Sequence, residues 1–122
     1  MIVDQRYVDY INSLEKELPP YLEELEQYAL QTEVPIIRKE MQSFLKTLLK
    51  MNKPKQILEV GTAIGFSALL MKEFMPADGQ ITTIEKYEKR IPVARANFEA
   101  EGSRFWKEMP WKFWQDLPEA TT

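Results

Sequence analysis

Residues 55–67, Lys55-Gln-Ile-Leu-Glu-Val-Gly-Thr-Ala-Ile-Gly-Phe-Ser67, constrain this chain more than any other stretch. Ile57, Leu58 and Val60 make an apolar run of strand length, too short for a helix. Gly61 ends it, Gly65 follows, and a helical apolar pattern (Phe66, Leu69, Leu70, Phe74) begins. Strand, glycine turn and helix open an α/β unit of the kind that binds nucleotides. Glycine serves such a turn by adopting positive φ or by letting a ligand approach a backbone without Cβ. Glu59 sits inside the otherwise apolar strand, where a carboxylate is costly unless something pairs with it.

The spacing separates two chemistries. A dinucleotide site carries G-x-G-x-x-G, whose amides hold a pyrophosphate. Here the pattern is Glu59-x-Gly61-x-x-x-Gly65, with Thr62 and Ala63 where a second phosphate-binding glycine would fall. Leu58 to Ser67 resembles the LE(I/V)GTxxG(Y/F)S signature of class I S-adenosylmethionine-dependent, metal-dependent O-methyltransferases. Catechol, caffeoyl-CoA and bacterial tRNA 5-hydroxyuridine methyltransferases belong to that family, and the last look nearest.

Composition narrows the chemistry. The chain has 122 residues, a net charge of -3, no cysteine and no histidine. It is long enough for one domain but small for an α/β enzyme. Disulfides, thiolate nucleophiles, Cys/His zinc sites and histidine bases are excluded together. The acidic balance opposes broad nucleic-acid binding while permitting a local basic patch. Asp4, Arg6 and Asp9 interrupt the first ten residues, which do not read as a signal peptide, and no run reaches membrane-spanning length. The expectation is a cytoplasmic protein without a membrane partner.

Along the chain, Val3, Tyr7, Ile11, Leu14 and Leu18 fall at helical spacing over 2–18, and Pro19-Pro20 ends that helix. A second helix is expected over 21–30, with Leu22, Leu25 and Ala29 inward. Pro35 suits the first turn of a third helix running to about Met51 and burying Ile37, Met41, Phe44, Leu45, Leu48 and Leu49. These stripes read as packing. Strands over about 56–60 and 80–84 alternate with helices over about 65–75 and 88–100, Pro92 falling in the first turn of the latter. The fold expected is α/β: a truncated Rossmann-like unit, a helical leader (1–53) followed by βαβα (55–102) with parallel strands.

Glu85 follows the second strand, at the carboxyl edge where open α/β sheets bind ligands. A carboxylate there can accept bonds from both ribose hydroxyls of an adenosyl group, in NAD and S-adenosylmethionine sites alike. The family's acidic ribose ligand stands at the same place. Ser67 and the free amides of the first helical turn suit a carboxylate, which the resemblance makes the methionyl end of the cofactor. The resemblance also sets Glu59 toward the cofactor's ammonium, Gly61, Gly65, Thr62 and Ala63 around it, and Ile37 against it. That last assignment comes from Val34-Pro35-Ile36-Ile37, similar to the family's entry into the helix beside the cofactor. Periodicity alone makes Ile37 a core residue.

The resemblance stops near residue 102. The family continues with a third strand, a Gly-Asp-Ala motif and an acidic set holding a divalent metal (Mg), and none of these is visible; Asp116 has no matching context. A two-stranded sheet with an open edge is expected, hence poor solubility or self-association, with a homodimer as one outcome. Without the metal ligands, the 122 residues are expected to be an inactive fragment. Residues 103–122 hold all three tryptophans (Trp106, Trp111, Trp114) with Phe105 and Phe113. An amphipathic tail for a membrane or a partner is one reading, which Pro110 opposes. Read one frame over, residues 105–115 can encode I-L-E-G-D-A-L-E-V-L-A, similar to the family's third strand and Gly-Asp-Ala motif. The tail is therefore expected to be out-of-frame sequence after an indel near 102–105. The implied activity is methyl transfer from S-adenosylmethionine to an acceptor hydroxyl, of tRNA 5-hydroxyuridine or of a catechol-like small molecule. Two alternatives remain: a dinucleotide-binding fragment of an oxidoreductase, and a non-catalytic interaction module using its tryptophan-rich tail.

Overall fold

The computed structural model describes residues 2–102 and 105–115, the side chains of Phe113 and Trp114 excepted. Three helices lead: α1 (Gln5–Ser13), α2 (Pro20–Gln31) and α3 (Lys39–Asn52). Then β1 (Gln56–Val60), α4 (Phe66–Phe74), β2 (Gln80–Ile84), a 3-10 turn (Glu88–Arg90) and α5 (Ile91–Ala100) alternate. A short strand, β3 (Trp106–Glu108), and a one-turn helix, α6 (Trp111–Gln115), close the described chain. Each start has a local cause. Asp4 caps α1 by accepting from the Arg6 amide, Pro20 opens α2, and Lys53 ends α3 in the left-handed region at φ 47°.

The sheet is parallel, in the order β1-β2-β3. Glu59 lies opposite Thr83, and Ile81 lies opposite both Ile57 and Trp106. The face bearing Ile57 and Ile81 packs with Phe66, Leu69 and Leu70 of α4, Ala94 and Phe98 of α5, and Phe105 in one core. Leu22 and Ala29 of α2 and Leu49 of α3 extend it. On the opposite face Leu58 and Val60 are each more than half exposed. Parallel sheets ordinarily bury both faces, and this one is covered on the helical side.

Four expectations change. The expected two strands are three, because Phe105 and Trp106 bring the chain back beside β2: the Phe105 carbonyl accepts from the Ile81 amide at 2.7 Å. Phe105 is buried edge-on against Phe98, with ring centroids 5.7 Å apart, and Trp106 lies 4.9 Å from Phe98 on its other flank. Aromatic area therefore closes the sheet where no aliphatic strand pattern signals one. The first helix is shorter than 2–18, and Val3, Tyr7, Ile11 and Leu14 stay exposed while Leu18 alone reaches the core. Its tie to α3 is polar, the Asn12 amide donating to Glu40 at 3.1 Å. In α3 the inward side carries Gln42 and Leu49, so Met41, Phe44 and Leu48 face outward. Finally, α3 begins at Lys39 rather than at Pro35, leaving 34–38 as a non-helical strap. The side chains of Phe113 and Trp114, and Asp116 altogether, lie outside the described residues. No described helix is long and apolar enough to cross a membrane.

Gly61 (φ 98°) and Gly65 (φ 93°) both occupy a region closed to most L-residues. A Cβ on Gly61 would meet nothing within 4 Å, whereas one on Gly65 would come 2.6 Å from Phe98 Cε1. Gly61→Ala should cost about 1–2 kcal/mol from φ alone. Gly65→Ala should cost a further ~1–3 kcal/mol for overpacking against Phe98, a difference that parallel urea titrations of the two variants would read. Ile11→Ser should shift stability by no more than about 0.5 kcal/mol, since Ile11 is not in the core.

Candidate functional site

The site grows from the β1–α4 turn. Gly61 and Thr62 amides both reach the Ile84 carbonyl, at 2.8 and 3.2 Å, tying the turn to the end of β2. Ala63 takes φ 49°, and its amide donates to Glu85 Oε2 at 2.6 Å. Glu85 Oε1 accepts from the Tyr87 amide at 2.9 Å, so both oxygens are oriented by backbone. Asn97 of α5 donates to the Ile64 carbonyl at 2.8 Å and holds the far side of the turn. The first bond within α4 runs from the Leu69 amide to the Gly65 carbonyl. The amides of Phe66 and Ser67 precede it, at the positive end of the helix dipole.

Across from this turn lies the strap. Together they bound a cleft of about 210 Å³, lined by Pro35, Ile36 and Ile37 on one side and by Gly61, Thr62, Ala63, Phe66 and Ser67 on the other. Five of the sequence-derived site residues, Ile37, Gly61, Thr62, Ala63 and Ser67, therefore share one cavity. Glu59 stands behind it, Glu85 beside it at the Ala63 amide, and Gly65 is turned toward Phe98. Ile37 packs against the core, as periodicity predicts, and also lines the cleft because the chain is not yet helical there.

Glu59 is the electrostatic centre. Ser67 Oγ donates to its Oε2 at 2.5 Å and Thr83 Oγ1 to its Oε1 at 2.8 Å. Thr62 Oγ1 lies 2.6 Å from Thr83 Oγ1. Since Thr83 spends its proton on Glu59, Thr62 donates to Thr83, giving a relay from turn to strand to carboxylate. Burial pushes the Glu59 carboxyl above the ordinary glutamate value, opposed by the two hydroxyls and assisted by the nearby Glu85 charge. Among the described residues no lysine or arginine pairs with it. A carboxylate so placed is suited to a cationic ligand group. Thr83 and Phe66 were not picked out from the sequence; Thr83 was legible as the inward member of the Thr82-Thr83 pair once the register with Glu59 is known.

Beyond Glu85, a narrow cavity is bounded by Thr62, Phe98, Trp106 and Glu108. Arg95 of α5 closes it with a forked pair of hydrogen bonds to Glu108, at 2.9 and 3.0 Å. Among the described residues no group of three or more carboxylates gathers as a metal-ligand set. The described residues thus do not fit the divalent ion that the sequence resemblance implied.

A family model described as O-methyltransferase matches residues 12–109. A catechol O-methyltransferase from Niastella koreensis is 36% identical over 59 residues, 48% of this chain and 27% of the relative. A caffeoyl-CoA O-methyltransferase from Populus kitakamiensis is 38% identical over 72 residues, 55% of this chain and 31% of the relative. Among solved structures, the S-adenosylhomocysteine-bound methyltransferase PaMTH1 of Podospora anserina superposes with a TM-score of 0.75 at 26% identity. That superposition covers 87% of this chain and 47% of the other. The alignments span under a third of these two curated relatives and about half of the solved structure. The family match runs through β3, past the point where the sequence resemblance stops.

Because the folded chain holds Glu59 above its ordinary value, the native state keeps a proton that the unfolded chain has lost in that window. Stability should therefore fall as pH rises from about 4.3 through the raised value. Glu59→Gln should abolish that slope and raise the melting temperature at pH 7, as thermal melts across pH 4–8 would record.

Proposed function

The chain belongs to the O-methyltransferase family, and from that premise we propose that it binds S-adenosylmethionine at the cleft between the 35–37 strap and the glycine turn. The observation that carries the reading is Glu59: a half-buried carboxylate held by two hydroxyls, one of them on Ser67 of the cleft lining, with no cation beside it among the described residues. In this reading Glu59 takes the cofactor's ammonium, directly or through water. The amides of Phe66 and Ser67 take its carboxylate, as helix N-termini take anions. Gly61, with open space where a Cβ would stand, admits the cofactor backbone. Ile37 and Pro35 form the apolar wall. Glu85, fixed by the Ala63 and Tyr87 amides, retains lone pairs for the ribose hydroxyls.

When bound, the cofactor would supply a sulfonium methyl for an acceptor hydroxyl oxygen, with the hydroxyl proton released to solvent. The chain's own residues bind and orient it. The acceptor proposed is a catechol-like aromatic hydroxyl, a reading supported by the names of the curated relatives. The 5-hydroxyuridine of a tRNA is the competing acceptor. Both other function classes fare worse here. The turn offers Thr62 and Ala63 where a pyrophosphate needs a glycine, and Phe105 is spent on the core rather than presented to a partner.

Isothermal titration with S-adenosylhomocysteine should show saturable one-to-one binding, and NAD should not compete. Glu59→Gln and Glu85→Ala should each weaken it by about tenfold or more, the loss of a charged hydrogen-bonding partner. NAD binding without S-adenosylhomocysteine binding would overturn the proposal.

A further inference from the structure

The proposed cleft has one wall outside regular secondary structure. Residues 34–38 belong to no helix or strand, and Pro35 has no amide to anchor it. At one end the Val34 amide donates to the Ala29 carbonyl at 2.9 Å. At the other, the Ile37 carbonyl accepts from a side chain, Gln42 Nε2, also at 2.9 Å. The same nitrogen donates to Glu26 Oε2 at 2.7 Å. Glu26 Oε1 in turn meets Lys39 Nζ at 2.8 Å.

Three features set this cluster apart from ordinary packing. Gln42 is 1% exposed and Glu26 is 4% exposed, on faces of α3 and α2 where an aliphatic residue would bury at lower cost. Both Gln42 amide hydrogens are committed, and its Oε1 is left buried without a partner. Flipping the amide would satisfy neither Glu26 nor the Ile37 carbonyl, because both are acceptors. The orphaned oxygen is the cost of keeping two donors aimed at the strap and at its brace.

We propose that Gln42 is a positioning residue for the cofactor cleft, locking the Pro35–Ile37 strap opposite the glycine turn through the Ile37 carbonyl, with Glu26 and Lys39 as its brace. The proposal rests on the cofactor reading above. Gln42 touches no ligand; it sets the width of the cleft by fixing one main-chain oxygen. With Ile37 held, the apolar wall stands in place before the cofactor arrives, and no binding energy is spent on ordering it.

Gln42→Met keeps the length and removes both donors. In the ligand-free full chain, exchange of the strap's hydrogen-bonded amide, Val34 to Ala29, should accelerate about tenfold, and the S-adenosylhomocysteine Kd should rise by a similar factor. Unchanged exchange at Val34 would overturn the proposal, whatever the ligand does. A lower melting temperature with unchanged Kd would also overturn it, reducing Gln42 to a clip between α2 and α3. If the wild-type chain does not bind S-adenosylhomocysteine, the cofactor reading falls and the positioning role with it. If it binds and Gln42→Met binds equally, only the positioning role falls. Should Gln42→Met fail to fold, Lys39→Met removes the brace from the surface side, and about a threefold rise in Kd with faster Val34 exchange is expected. No change in either would overturn the proposal.

Discussion

The ring of Phe98 is the contact on which the α/β unit depends. It occupies the space that a side chain at position 65 would need, which lets α4 start directly out of the turn. Phe105 meets it edge-on and Trp106 lies on its other flank, so one residue of α5 joins the glycine turn to the third strand. Full burial of a phenylalanine is worth about 2–3 kcal/mol, but here the geometric consequence matters more. A tight, left-handed turn is set at the carboxyl end of β1, and amides and glycine backbone face the cleft.

Against that apolar anchor stands a polar one. Glu59, Thr83, Thr62 and Ser67 form a connected hydroxyl–carboxylate set spanning β1, β2, the turn and α4. In a low-dielectric setting such a set is favourable only when each member is satisfied. The hydroxyls oppose the burial penalty on Glu59 without overcoming it. A second buried polar set, Lys39–Glu26–Gln42, braces the strap on the other side of the cleft. The two walls are thus each fixed by polar side chains, with Phe66 lining the cleft between them. Local stability has been given up where a ligand would sit, a pattern common to functional sites.

Much of this was legible in the chain, and what was not has identifiable causes. The β1–turn–α4 segment was readable because an apolar run, two glycines and a helical stripe agree locally. The leader was misread in its faces rather than in its existence. Tyr7, Ile11 and Leu14 have helical spacing yet lie exposed, since a stripe predicts amphipathicity and not which neighbour arrives to cover it. Gln42 was invisible for the converse reason, a polar residue buried by tertiary bonds that its own helix does not announce. The third strand was missed because Phe105-Trp106-Lys107-Glu108 has no aliphatic run, and its pairing is decided by Phe98, seven residues before Phe105.

The sequence by itself determined the chain's family, the order of its α/β elements and the chemistry available, because glycine positions, apolar periods and the absence of cysteine and histidine are local properties. It also picked out Glu59 and Glu85, each a carboxylate set by its strand. Only the tertiary structure decided that Ile37 lines a cleft while packing against the core, that Glu59 meets Thr83, and that Gln42 bonds the strap. Those facts depend on register and helix packing across 5 to 24 residues of separation. No periodicity in one segment encodes the position of another.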